Sequence, residues 1–249
     1  VIVNRDESSR GPATSFGLVA DAYERARPGY PEDAVRWLVG DEPLDVVDLG
    51  AGTGKLTRSL VALGHRVTAI EPLTQMLEHI PAAAPGAAAI LGDAEVIPLP
   101  DAYADVITAA QSFHWFDHAV ALPEIARVLR PHGRLALVWN VRDDREEWVA
   151  RLSATIGGER IDDDDDADGP VVASGLFGPV ERATFTWAQR LDRATLRDLV
   201  LSRSYCASMP LGEQEEVLTA VGHVFDEHAS GGEIELPYVT ECYRAATAS

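Results

Sequence analysis

Between Asp45 and Trp139 short runs of branched apolar residues alternate with amphipathic stretches, and no other feature of the chain limits its fold as strongly. Asp45–Leu49, Arg66–Ile70, Ala88–Leu91, Ala104–Ala109 and Arg134–Trp139 read as strands. Gly54–Leu63, Pro72–Ile80 and a stretch within Asp117–Arg130 read as helices between them. Gly64 stops the first of these. In the last, Leu122, Ile125, Ala126 and Leu129 share one face. Pro123 predicts either a kink or a regular part that begins near Leu122. Strands alternating with helices form a parallel α/β sheet covered on both faces.

The flanks are less regular. Residues 1–14 are polar and read as a flexible arm. Residues 15–40 read as two helical pieces broken at Arg27-Pro28-Gly29-Tyr30-Pro31, with Pro31 at the first helical position. After Asn140, helices are expected at Glu146–Ile156, Ala194–Tyr205 and Leu211–Ala229, and strands at Ala183–Trp187 and Glu233–Arg244. This half, 141–249, is expected to finish the same sheet and cap it, leaving 1–249 a single domain. The aspartate run Asp162–Asp166 reads as a solvated, self-repelling loop. It lacks the alternating ligands and glycine of an EF-hand calcium loop.

The formal charge of -19 argues against nucleic-acid phosphates or an anionic membrane surface as partners, since both need clustered cations. Cys206 and Cys242 have no metal-ligand spacing, so no metal is expected. Two cysteines also make no disulfide framework, which fits a reduced, cytoplasmic setting. No apolar run is long enough to span a membrane. Arg5, Asp6 and Glu7 stand where a signal peptide would need apolar residues.

The segment Asp48-Leu49-Gly50-Ala51-Gly52-Thr53-Gly54-Lys55 lies between the first strand and the first crossover helix. In an open parallel sheet, ligands bind beyond that strand end. Glycines let the backbone approach a ligand closely, and the helix N-terminus offers free N–H groups. A phosphate loop needs glycine at position 49 and Ser or Thr at 56, where Leu49 and Leu56 stand instead. The glycine spacing fits a dinucleotide fingerprint poorly, although Glu71 would suit a ribose diol in either case.

The residues VVDLGAGTGKLT, then Glu71 in AIEP, then LGDAEVIPLPDAYADVITAAQSFHWFD, resemble the class I S-adenosylmethionine-dependent methyltransferases. Within that family they resemble the small-molecule branch that includes the trans-aconitate-type enzymes. The resemblance implies a Rossmann-like sheet of seven strands, mostly parallel, with the last strand antiparallel. It implies a cofactor-binding core over 41–140, with the N-terminal helices of 15–40 lying over the cofactor cleft. Gly50, Ala51 and Gly52 would pack under the methionine part and ribose, and Asp48 would help hold the amino end. Glu71, followed by Pro72, would accept the ribose hydroxyls. Asp93 would take the adenine amine, with the Ala94 N–H facing the ring. Gln111 would lie near the methionyl group, and Tyr23 and Arg27 would reach the cofactor from the N-terminal helix. S-adenosylhomocysteine would be the product.

The reaction implied is direct displacement at the sulfonium methyl, with the acceptor aligned and water excluded. His114 is the candidate base, needed only for an acceptor protonated at working pH. Its alternative is a structural role at the pocket floor. Asp117 reads as a helix N-cap, and Met76 as core. Tyr30, Trp115, Trp139, Arg142, Arg203 and Tyr205 are candidate acceptor-binding residues, the arginines for a carboxylate. The competing readings are a non-catalytic cofactor-binding relative and a nicotinamide-dependent oxidoreductase. Acceptor identity and oligomeric state are not encoded in any motif.

Overall fold

The computed structural model describes Glu24, residues 26–156 and 168–203, Cys206 and residues 209–248. Tyr23, Tyr205, the 1–14 arm and the Asp162–Asp166 run lie outside the described residues. The strands are β1 (Asp45–Leu49), β2 (Arg66–Glu71), β3 (Ala88–Leu91), β4 (Ala104–Ala110), β5 (Leu129–Arg142), β6 (Glu181–Asp192) and β7 (Glu233–Ala246). They form one seven-stranded sheet in the order β3-β2-β1-β4-β5-β7-β6. The first five run parallel. The last, β7, lies antiparallel between β5 and β6.

The helices among the described residues are α1 (Glu32–Val39), α2 (Lys55–Ala62), α3 (Thr74–Leu77), α4 (Ile80–Ala83), α5 (His118–Val128), α6 (Glu147–Ile156), α7 (Gly169–Ser174), α8 (Arg193–Leu201) and α9 (Leu211–His228). Strand periodicity sorts the core. On β4, Val106 faces the α1 and α2 side with Leu38, Leu56 and Leu60, while Ile107 faces the α5 side with Leu122 and Ile125. A further cluster packs α6, α8 and α9 against the far ends of β6 and β7 through Leu152, Leu199, Leu236 and Tyr238.

Several expected elements change at their ends. The helix expected over Pro72–Ile80 is two short helices, α3 and α4. Pro81 sits in the first turn of α4, where its missing N–H is tolerated, but it could not continue a helix from α3. Pro31 is the N-cap of α1, one place earlier than expected. Pro123 lies inside a continuous α5. Strand β5 extends to Arg142 rather than stopping at Trp139, and β6 spans twelve residues rather than five. No described helix is long and apolar enough to cross a membrane.

Candidate active site

Parallel strands in the order β3-β2-β1-β4-β5 bring four separated motifs to the C-terminal ends of neighbouring strands. Gly50 follows β1, Glu71 ends β2, Gly92-Asp93 follows β3 and Gln111 follows β4. The strand order reverses between β1 and β4, so a crevice opens there.

The glycine turn is built on close backbone approach. Gly50 and Ala51 donate to the Ile70 carbonyl at 2.9 and 3.1 Å. Gly50 has φ 68°, and a Cβ there would lie 2.7 Å from the Ser112 Cβ. Ser112 in turn donates to the Leu49 carbonyl at 2.9 Å, docking the loop after β4 on the end of β1. Gly52 has φ 58°, and a Cβ on it would meet nothing within 4 Å. Glycine is required at position 50 by packing, and at position 52 by backbone conformation beside open space.

Glu71 is buried and aimed at this turn. One carboxylate oxygen accepts the Gly52 N–H at 2.8 Å and the other the Leu73 N–H at 3.0 Å. Burial pushes its pKa up, the two N–H groups oppose that, and nearby Asp48 adds to the rise. Asp48 lies behind the turn. Its oxygens accept Thr57 Oγ1 at 2.6 Å and Thr108 Oγ1 at 2.9 Å, and it is fully buried. Burial raises its pKa to about 6, against the pull of these hydrogen bonds.

Asp93 Oδ1 accepts the Val96 N–H at 2.9 Å, which shapes the turn after β3. Ala94 is buried beside Ile97 and Ile70 in the core. Pro72 is exposed directly after Glu71. Gln111 adopts φ 57°, a left-handed conformation uncommon for a residue with a side chain. It is held there by its N–H to the Val138 carbonyl (2.9 Å) and its Nε2 to the Asn140 carbonyl (3.0 Å). Strain of this kind concentrates at functional sites.

The chain matches the family model described as "Methyltransferase domain" over residues 47–137. It is 45% identical over 244 residues to an uncharacterized methyltransferase of Mycobacterium tuberculosis, covering 97% of this chain and 99% of that one. The chain belongs to the methyltransferase family. Two solved structures share its fold. One, from Anaeromyxobacter dehalogenans, was solved as a candidate type II methyltransferase (TM-score 0.62, 24% identity, 88% of this chain and 97% of that one). The other is Haemonchus contortus phosphoethanolamine N-methyltransferase 2 in complex with S-adenosyl-L-methionine (TM-score 0.56, 13% identity, 100% of this chain and 61% of that one).

In this methyltransferase a 3-10 turn, Phe113–Trp115, follows β4 and presents His114 and Trp115 outward, their ring centroids 4.8 Å apart. The protein mass around His114 and the neighbouring His118 hold its imidazole below the usual pKa, so it is neutral at pH 7. Asp117 is the N-cap of α5 and accepts the Ala119 N–H at 3.2 Å.

Other expected residues are wholly or partly buried. Trp139, expected at the acceptor, is a core residue. It is 2% exposed, packs edge-on against Tyr243 at 5.7 Å, and its indole N–H has no partner among the described residues. The inward-facing position on a central strand accounts for this. Arg27, expected at the methionine carboxylate, contacts Ser202. Its Nε and Nη2 donate to the hydroxyl and carbonyl of Ser202 at 3.0 and 3.3 Å. Arg142 is buried with its Nε on Ser153 Oγ at 2.8 Å. Arg203 is buried next to Ser202, and both Arg203 and Arg27 act electrostatically on Cys206, whose thiol burial pushes up. Tyr30 is half-buried against the α1 side of the core.

Two further residues have central places. Asn140 donates to the Gly29 carbonyl at 2.8 Å and accepts Thr240 Oγ1 at 2.6 Å, while its carbonyl holds Gln111. Glu24 is bound to the glycine turn through Thr53 Oγ1 at 2.6 Å. Both contacts join residues far apart in the chain.

Proposed function

We propose that this methyltransferase uses S-adenosylmethionine and passes the methyl group to a small-molecule acceptor by direct displacement. The observation that carries this reading is the Glu71 carboxylate, fixed by two backbone N–H groups beside a glycine turn with open space over Gly52. Each Glu71 oxygen accepts one N–H and retains a lone pair for a ribose hydroxyl. The residues present therefore fit the cofactor that the family match implies. When bound, that cofactor supplies a methyl group activated on a sulfonium centre.

The chain's own groups then divide the work. Gly52, beside Gly50 and Ala51, leaves room for the ribose and methionine part, and Glu71 with Pro72 orients the ribose. Asp93 and Ala94 face the adenine, and Gln111 borders the methionyl end. Asp48 acts from behind, holding α2 and β4 to the turn through Thr57 and Thr108. Trp115, Tyr30 and Arg203 belong to the acceptor side. Neutral His114 takes the proton from an acceptor that is protonated at working pH. The resemblance to the trans-aconitate-type branch makes carboxylic acids the first acceptors to test.

The test is a panel of small carboxylic acids, amines, thiols and phenols with methyl-labelled cofactor, using wild type, Glu71→Ala and His114→Gln. The expected result is labelled product from wild type and at least a tenfold loss of kcat/KM in Glu71→Ala, about 1.4 kcal/mol. His114→Gln should lower kcat by about a hundredfold for a protonated acceptor and leave a carboxylate acceptor unchanged. Wild-type turnover of the protonated acceptor should fall only as pH drops below the ordinary histidine value of about 6.5, because the His114 pKa is lowered. Protein that binds cofactor but labels no member of the panel would contradict the small-molecule reading.

A further inference from the structure

The loop between β3 and β4, residues 92–101, carries Asp93 and Ala94 and is pinned by one arginine of α5. Arg127 has five N–H donors in a planar fork, and all five are spent. Three go to the loop: Nη2 to the Ile97 carbonyl at 3.1 Å, and Nη1 to the Leu99 carbonyl at 3.0 Å and to Asp101 Oδ1 at 2.7 Å. The other two go to Glu124, one turn earlier: Nε to Oε1 at 2.9 Å and Nη2 to Oε2 at 2.8 Å. Glu124 Oε2 in turn accepts the Ile97 N–H at 3.2 Å. Both backbone groups of Ile97 are thus held by the Glu124–Arg127 pair.

Ile97 passes this restraint to the start of the loop. Its side chain is buried with Ala94 and Ile70. The residue before it, Val96, donates its N–H to Asp93 Oδ1 at 2.9 Å. Glu95 Oε1 accepts the Asp117 N–H at 2.8 Å, a second tie to α5. Gly92 is packed tightly, since a Cβ there would lie 3.0 Å from Pro98 Cδ and 3.2 Å from Ile70 Cγ2. The Arg127 and Asp101 side chains are 31% and 79% exposed, so their ion pair adds little stability. What the fork fixes is the path of the loop. Lysine could not do the same, because its donors radiate from one point and cannot span two carbonyls and two carboxylates.

We infer that Arg127, together with Glu124, is a positioning residue for adenine recognition. It sets the course of the loop and, through Ile97 and Val96, the aim of the Asp93 carboxylate. The inference rests on the cofactor reading above, in which Asp93 takes the adenine amine. Arg127 acts through the loop and not on the cofactor itself.

The experiment titrates the folded full chain with S-adenosylhomocysteine and with S-inosylhomocysteine, which carries a carbonyl oxygen where adenine has its amine. It uses wild type, Arg127→Lys, Glu124→Gln, Asp93→Ala and the double variant of Arg127→Lys with Asp93→Ala, each checked for a wild-type-like melting transition. Wild type should prefer the adenine ligand by about tenfold, as a carboxylate that accepts from the amine would. Arg127→Lys should weaken S-adenosylhomocysteine binding by about tenfold and leave S-inosylhomocysteine at its wild-type Kd, so the preference is lost. Glu124→Gln should reduce the preference by about threefold, and it decides the matter should Arg127→Lys not fold. The double variant should bind S-adenosylhomocysteine no more weakly than Asp93→Ala alone, because both changes remove the same contact. Equal weakening of both ligands, or losses that multiply in the double variant, would show a role in folding alone and overturn the inference. An unchanged preference in Arg127→Lys and Glu124→Gln also overturns it. Wild type that binds both ligands alike takes Asp93 away from the adenine, and the inference with it. Wild type that binds neither ligand removes the cofactor reading itself.

Discussion

Asp48 shows how one buried carboxylate ties the turn to the stability of the chain. Its pKa rises to about 6 because burial outweighs the hydrogen bonds from Thr57 and Thr108. Folded protein therefore binds a proton on Asp48 between about pH 4 and pH 6 that the unfolded chain has already released. In that window Asp48 lowers stability as pH rises. Asp48→Asn removes the effect, so its melting temperature relative to wild type should climb by a few degrees between about pH 4.5 and pH 7.5. A difference that stays flat across this range contradicts the buried-proton account. The two tryptophans make a second comparison. Trp139→Ala should cost about 3–5 kcal/mol in urea unfolding, as a core deletion does. Trp115, 46% exposed, should stay within about 0.5 kcal/mol when changed to Ala. Equal costs would put Trp115 in the core as well. The meeting of Gly52 with Glu71 was legible in the sequence because the two follow neighbouring strand ends. Trp139 was misread because a strand end and its inward face look alike in one dimension. Glu24 was invisible because its partners lie far off in sequence.

The elements that alternation revealed are those with a strong period. Strands β1 to β4 fall within a residue or so of their expected ends, since each is a short apolar run bounded by turn residues. Helix α5 begins where Asp117 offers a capping oxygen, and Asp117→Ala should cost about 1 kcal/mol in chemical denaturation. A cost near zero would mean that the Asp117 N–H on Glu95 (2.8 Å), rather than its side-chain oxygen, fixes that end. The split between α3 and α4 was missed because apolar spacing continues across it while Pro81 interrupts the backbone. Helix α7 went unread because it is six residues long and opens with Gly169-Pro170, both poor helix formers. Strand β6 was read short. Its outer residues alternate with charged ones, and pairing with β7 out to Asp192 and Glu233 sustains it.

Across the whole molecule, the fold class was legible because five parallel strands joined by helices admit few topologies. The placement of β7 between β5 and β6 was not in the pattern of residues; it came from the family resemblance, and the sheet has it. That placement sets Asn140, Gln189 and Ser202 around residues 26–29. Contacts of this range are carried by no motif. The cofactor side rests on one carboxylate, and it is tested most directly by calorimetric titration of wild type and Glu71→Ala with S-adenosylhomocysteine. The account predicts micromolar binding to wild type and at least a tenfold weaker Kd for folded Glu71→Ala, about 1.4 kcal/mol. Equal binding by the two proteins, or no binding by folded wild type free of copurified cofactor, would contradict it.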